Sequence, residues 1–362
     1  MQSRTKTIAG AAVVALLALL AYRIASRSED PKSAGGAPSS RGAASGGAPI
    51  TPSSSGAAAG LAVEDAASPS AALDAAPDAG RRVLFSAAWG SGVGKLGRDR
   101  PAEGNPEGPM SLALAGRDLL VLDQVNGRLA RYGADGRLKG TTDAPATAQD
   151  LAVGKDGTVA MIDRLVGKTV TLVDANGRKV GELPLGARVA EPGLVTAVVI
   201  DGTNVYAEKE HGALVLLGST DGTPAGESIQ LAGRPTRDGA LLLTAGIASK
   251  PAGRAYLNAM DRRTTTSRFA VQVSFPRPSQ AIVLLDSDLK GRIYLGVAAG
   301  DPGEAVVACL DPSDGRVLGR VSLPLSHTPE ESFRDFTVGD DGTIVYAVRG
   351  EDGVEYQTAT CP

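Results

Sequence analysis

Residues 119–137 read LLVLDQVNGRLARYGADGR: an apolar run ends at Asp123, a tight turn follows, a second run starts at Arg128, and Asp135-Gly136 closes the phrase. The phrase returns as VAMIDRLVGKTVTLVDANGR over 159–178 and as VYAEKEHGALVLLGSTDG over 205–222. Asp123, Asp163 and Glu208 share one position of the phrase, and Gly127, Gly167 and Gly212 share another, at offsets of 40 and 45 residues. Several strands per unit at a period of about 40–50 residues predict an all-β fold, a β-propeller.

Working outward, further units open near Met110, Asp150 and Val195, then near Ala281 and Asp335. The openings DLAVGKDGT at Asp150 and DFTVGDDGT at Asp335 nearly coincide. An irregular unit covers about Ala240 to Ser279; AYLNAMDRRTTTSRFAVQVSF within it reads as a strand pair with a longer turn, and its fourth strand is unclear. The last unit ends after its third strand, while VLFSAAWG, Val83–Gly90, has no unit of its own. The expected architecture is therefore a six-bladed propeller closed by an N-terminal strand, because closure removes the exposed sheet edges. Asp135, Asn176 and Asp314 precede glycines in two-residue turns that need positive φ, so they are read as structural.

LLVLDQVNGRLARY resembles the repeat of NHL-type six-bladed propellers at Leu120, Asp123, Asn126, Arg128, Leu129 and Tyr132, and NPEGPMSLAL before it resembles that family's Pro-Gly lead into the first strand. Blade one matches well. Blade two replaces the arginine with Lys168, blade three has Ala213 there, and blade six has Arg349 where the acid would stand. The resemblance implies a fold more than an activity, since propellers host binding, scaffolding and several chemistries.

Before the repeats, Met1–Thr7 carries Arg4 and Lys6, and Ile8–Tyr22 is an uninterrupted apolar run followed by Arg23. A helix from Ile8 to Ala25 would span about 27 Å, close to the ~30 Å of a bilayer core. The alternative, a cleaved signal peptide, would place Leu19 or Arg23 three residues before the cut, where small residues are needed. Residues 1–27 are expected to be an uncleaved membrane anchor, a single transmembrane helix with the rest of the chain exported. In residues 28–80, 40 of 53 are Ala, Gly, Ser or Pro, too little apolar surface to offset ordering entropy, so a disordered linker is expected there. Residues 81–362 form the expected propeller, placed on the extracytoplasmic side of an inner or plasma membrane (periplasmic in a Gram-negative cell).

A formal net charge of −3 and 4% aromatic residues give no case for nucleic-acid binding. The two cysteines, Cys309 and Cys361, have no metal-ligand spacing. A disulfide would tie down the C-terminus in an oxidising compartment. The usual distance between third strands of adjacent blades favours two buried free thiols instead.

The loops joining one blade to the next and the second-to-third turns share one face of a propeller. Asp150 and Asp335 start channel-lining strands there. Six-bladed lactonases hold calcium at the channel mouth, which makes these two carboxylates candidate metal ligands, with Ca2+ the one cofactor considered and none otherwise expected. The full acid-and-asparagine ligand set of those enzymes is not found. Glu208 and His211 in EKEHG, and His327 in SHTPEES, map to the same face. Arg98, Arg100, Arg188, Arg234, Arg237, Arg277 and Arg334 are assigned to it as a basic rim. The expected function is binding or scaffolding of protein or glycan through this loop-rich face, with Arg234, Arg237, Arg277, Glu208, His211 and His327 in the interface. The competing expectation is a metal-dependent hydrolase or lyase acting at the channel mouth.

Overall fold

The computed structural model describes residues 80–300 and 303–362. The expected anchor, 1–27, and all but the last residue of the expected linker lie outside the described residues. Among the described residues no helix is long and apolar enough to cross a membrane.

Six four-stranded antiparallel sheets make up this part of the chain. Blade one runs from inner strand Ser111–Ala115 to outer strand Leu138–Asp143, and blade two from Asp150–Val153 to Lys179–Pro184. Blade three runs from Val195–Asp201 to Gln230–Leu231, blade four from Arg234–Pro235 to Ser267–Ser274, and blade five from Ser279–Ser287 to Val317–Pro324. Blade six takes Phe336–Val338, Ile344–Arg349 and Gly353–Ala359 from the C-terminus, and its outer strand is Arg82–Ala88 from the other end of the fold. The ring is thus closed by the N-terminal strand. Phe85 of that strand stacks between Tyr132 of blade one and Tyr356 of blade six, with ring centroids 4.3 and 4.8 Å away.

The repeated Asp-Gly and Asn-Gly turns behave as their chemistry requires. Gly136 and Gly177 have φ of 74° and 79°, and the side chains of Asp135 and Asp174 accept backbone N–H groups inside those turns.

Blade four departs from expectation. Its strand pair Arg254–Asp261 and Ser267–Ser274 forms the third and fourth strands, so the fourth is present. The reduced strand is the first, only Arg234–Pro235. No apolar run marks it, and proline withholds a ladder donor, so the sequence pattern places the unit's opening at Ala240 instead.

The cysteines also differ from the reading as free thiols: Cys309 and Cys361 form a disulfide with a Cα separation of 6.4 Å. Cys309 lies within the third strand of blade five, but Cys361 lies beyond the last strand of blade six, in a tail that crosses to the neighbouring blade. The inter-blade distance that argued against the bond applies to strand residues and not to this tail.

Apolar side chains fill the spaces between blades, where each sheet face meets the next. Separate buried clusters join blades one and two, two and three, four and five, five and six, and six and one. The seam between blades three and four has no such shared cluster among the described residues; the apolar group there, Tyr206, Leu214 and Leu216, belongs to blade three alone. Two ion pairs bridge that seam instead, Arg234 with Glu208 and Arg262 with Asp201.

Candidate functional site

Antiparallel order fixes which connections share a face. Second-to-third turns and blade-to-blade connections emerge at one end of the tunnel, and first-to-second and third-to-fourth turns at the other. The first end carries the long connections 89–110, 185–194 and 325–335, whereas the opposite end is mostly built of short Asp-Gly and Asn-Gly turns.

The three repeated acids serve three different purposes on the first face. Asp163 braces its own turn, accepting N–H bonds from Val166 at 2.9 Å and Gly167 at 2.7 Å. Asp123 accepts from Asn126 Nδ2 at 2.9 Å and Arg128 Nε at 2.8 Å, and takes the Gly97 N–H at 2.8 Å. The Asp-Asn-Arg set of blade one therefore latches the 89–110 connection onto the ring. Glu208, fully buried, receives two bonds from Arg234, Nε–Oε1 at 3.0 Å and Nη2–Oε2 at 2.7 Å, and one from Thr196 Oγ1 at 3.0 Å. Burial works to raise its carboxyl pKa, but the Arg234 charge, the His211 contact and the Arg234 bonds outweigh burial and hold it far below the usual range.

Asp150 is fully buried at the tunnel. Its Oδ1 accepts from Ser111 Oγ of blade one at 2.7 Å, and its Oδ2 accepts from the Val198 N–H of blade three at 2.9 Å and Arg334 Nη2 at 2.6 Å. One carboxylate thus ties three inner strands together. Asp286 plays the matching part for blades four to six, accepting the Val338 N–H at 3.1 Å and Arg237 Nη2 at 3.3 Å. Asp335 pairs with Arg349, Oδ1 to Nη1 at 2.7 Å, and accepts from Ser332 Oγ at 2.7 Å. Arg349 stands where the other blades carry the repeated acid, so the sign is reversed and the partner is the acid at the start of the inner strand. Both candidate metal ligands are therefore held by arginines, and among the described residues no three His, Cys, Asp or Glu side chains lie together as a cation site.

The expected basic rim is mostly a set of internal ties. Arg98 and Arg100 reach Glu351, and Arg100 Nε also meets Glu330 at 2.5 Å. Arg188 donates to the carbonyls of Ala225 and Glu227. Arg277 keeps more freedom, 3.6 Å from Glu304 on the exposed surface. Arg237 does not belong to this face at all. It lies in the first-to-second turn of blade four, at the opposite end, where it meets Asp286, Asp340 and the Val338 carbonyl. The misplacement follows directly from the overlooked Arg234–Pro235 strand, which moves Arg237 from one connection to the next. His327 is exposed on the 325–335 connection.

What the first face does bring together is a cavity of about 270 Å³ inside the tunnel mouth. Thr196, His211 and Arg234 wall one side, Ile282–Asp286 and Phe336 the other, and the stretch Ser332–Asp335 roofs it. Of the expected interface residues, Arg234 and His211 line it and Glu208 stands behind them. Arg277 and His327 are outside it. Asp286, Thr196 and Phe333 went unnoticed in the sequence; the one available signal was a carboxylate, Asp286, inside the apolar run AIVLLDS.

The cavity wall contains backbone strain. Glu210 and His211 are consecutive non-glycine residues with φ of 51° and 54°, in a turn closed by Gly212 N–H to the Lys209 carbonyl at 2.9 Å. Asn-Gly is the usual occupant of such a turn, and each side chain held there costs about 1–2 kcal/mol. The His211 N–H is fixed by Thr196 Oγ1 at 2.9 Å, and its Nδ1 lies 3.5 Å from Glu208 Oε2 without making a hydrogen bond.

The strand pairing defines the class, a six-bladed β-propeller. The sequence matches no protein-family model and no curated protein. Solved structures similar to it include hydrazine synthase of Kuenenia stuttgartiensis, at 13% identity and a TM-score of 0.46, covering 69% of this chain and 78% of that one. A streptogramin B lyase is similar at 10% identity and a TM-score of 0.42, covering 73% of this chain and 97% of that one. BamB from Moraxella catarrhalis is similar at 12% identity and a TM-score of 0.36, covering 72% and 99%. Likenesses at this level say nothing of activity, and the architecture rests on the pairings above.

Proposed function

We propose that this protein is an extracytoplasmic binding or scaffold module of the cell envelope, held to an inner or plasma membrane by residues 1–27 and engaging protein or glycan through the face that carries the long connections. The carrying observation is the asymmetry of the ring: long, irregular connections gather at one end, and the other end, apart from 220–229, carries short hairpin turns. A rigid ring presenting variable loops is a common binding arrangement. The disulfide supports an oxidising location, and the apolar run Ile8–Tyr22 supports the anchor. The Asp123–Asn126–Arg128 network supports the NHL-like reading of blade one.

Site-specific photocrosslinkers test this reading. They are placed at Val93, Val166 and Arg277 on the long-loop face, and at Asp156 and Asp314 on the opposite one. Protein or glycan adducts from the first set only are expected in intact cells. Adducts of equal yield from both faces, or from neither, would overturn it.

A further inference from the structure

We infer that the tunnel-mouth cavity is a binding site for a small carboxylic acid with an apolar body. The inference deepens the binding reading of this face and rests on it. Size comes first: about 270 Å³ suits a compound of on the order of a dozen non-hydrogen atoms, at the lower end of ligand pockets. The lining divides in two. Ile282, Leu284, Leu325 and Phe336 offer an apolar wall, while Thr196, His211, Arg234 and Arg334 face it with polar groups.

An unused guanidinium edge selects the carboxylate. Around the cavity, Asp150 is held by Arg334, Glu208 by Arg234 and Asp335 by Arg349, while Asp286 is held by Arg237 from the opposite end of the tunnel. Arg164 is a fifth guanidinium, stacked 4.8 Å over the roof residue Phe333, and its hydrogen bonds go to the carbonyls of Gly193 and Val195. Arg334 holds Asp150 through Nη2 alone, which leaves its other guanidinium nitrogens to face a ligand.

The strained turn points to the same place. A glycine lies next to the left-handed pair, at Gly212, yet the two left-handed positions are filled by Glu210 and His211. A turn selected only for stability would put glycine or asparagine there. The strain instead holds an imidazole at the cavity wall, its Nδ1 3.5 Å from Glu208 Oε2, as functional sites commonly hold strained residues.

The test titrates the full-length protein in detergent micelles with 3-phenylpropanoate and, separately, with 3-phenylpropanamide, its uncharged counterpart. Binding is read by calorimetry or ligand-observed NMR. The acid is expected to bind in the millimolar range or tighter, and the amide at least tenfold more weakly. His211→Gly is expected to keep or raise the melting temperature while the acid loses at least fivefold in affinity. His211→Asn, which a left-handed turn accepts, serves as the second variant. Equal binding of acid and amide, no binding of either, or full affinity in both variants overturns the inference. No acid binding with long-loop-face adducts intact would sink this inference alone. Acid binding without such adducts would support it and sink the protein-or-glycan reading.

Discussion

Arg234 grips Glu208 through two hydrogen bonds, at 3.0 and 2.7 Å, across the blade three–four seam, which no shared apolar cluster fills among the described residues. Elsewhere neighbouring blades adhere by burying Leu, Val and Ile against each other. Here an ion pair, seconded by Arg262–Asp201, takes over that role. The seam also borders the cavity, since Arg234 belongs to both.

Arg234→Leu should cost about 3–5 kcal/mol, because it leaves the buried Glu208 carboxylate unpaired. Arg262→Ala, whose pair is partly solvated, should cost ~1 kcal/mol or less. Urea unfolding of the two variants checks the ordering; equal, small losses would mean the seam is held by something other than the buried pair.

Acid should weaken the seam progressively once the pH falls below the ordinary carboxylate range. The Glu208 carboxyl is depressed in the folded protein, so its stabilising contribution is present above its unfolded value near 4.5 and is lost as pH falls from there toward the folded value. Glu208→Gln should therefore be less stable than the natural protein at neutral pH, yet show a flatter loss of stability from about pH 4.5 downward. Parallel acid-unfolding curves for the two proteins would contradict this.

Loss of the Cys309–Cys361 bond should destabilise the fold. The bond spans 52 residues of sequence, for which chain entropy gives up to about 4 kcal/mol. The double Cys→Ser variant is expected to melt at lower temperature, and the unfolded natural protein should yield no thiol to Ellman-type reagents until reduced. Two reactive thiols before reduction would refute the pairing.

Asp150→Ala should destabilise by about 3 kcal/mol, since Arg334, Ser111 and the Val198 N–H all lose their acceptor. Calcium titration of the natural protein followed by calorimetry provides the contrast. One equivalent of calcium bound, and lost in Asp150→Ala at unchanged stability, would restore the metal-dependent hydrolase reading.

The parts of the fold that were legible in the sequence are those specified locally. Alternating apolar residues and Asp-Gly turns located the inner strands at Asp150 and Val195 to the residue, because side-chain period and turn geometry are short-range properties. Arg234–Pro235 escaped because two residues carry no period, and Arg237 was misplaced with it. The site was legible only in outline. Asp150 and Arg334 stand 184 positions apart, and nothing in either neighbourhood announces the other. The rim arginines looked like free charge for the same reason: their partners, Glu330, Glu351 and Glu208, come from other connections. The disulfide depended on a tail that leaves its own blade, a path with no periodic signal.

The strand Arg82–Ala88 is both the outer strand of blade six and the first described strand of the chain. Any load carried by this strand enters the ring at its closure, through the rungs to Gly353–Ala359. From that partner strand the load passes through Cys361 into blade five by a covalent link. The ring's fastening is thus also its mechanical anchorage, spread over two blades.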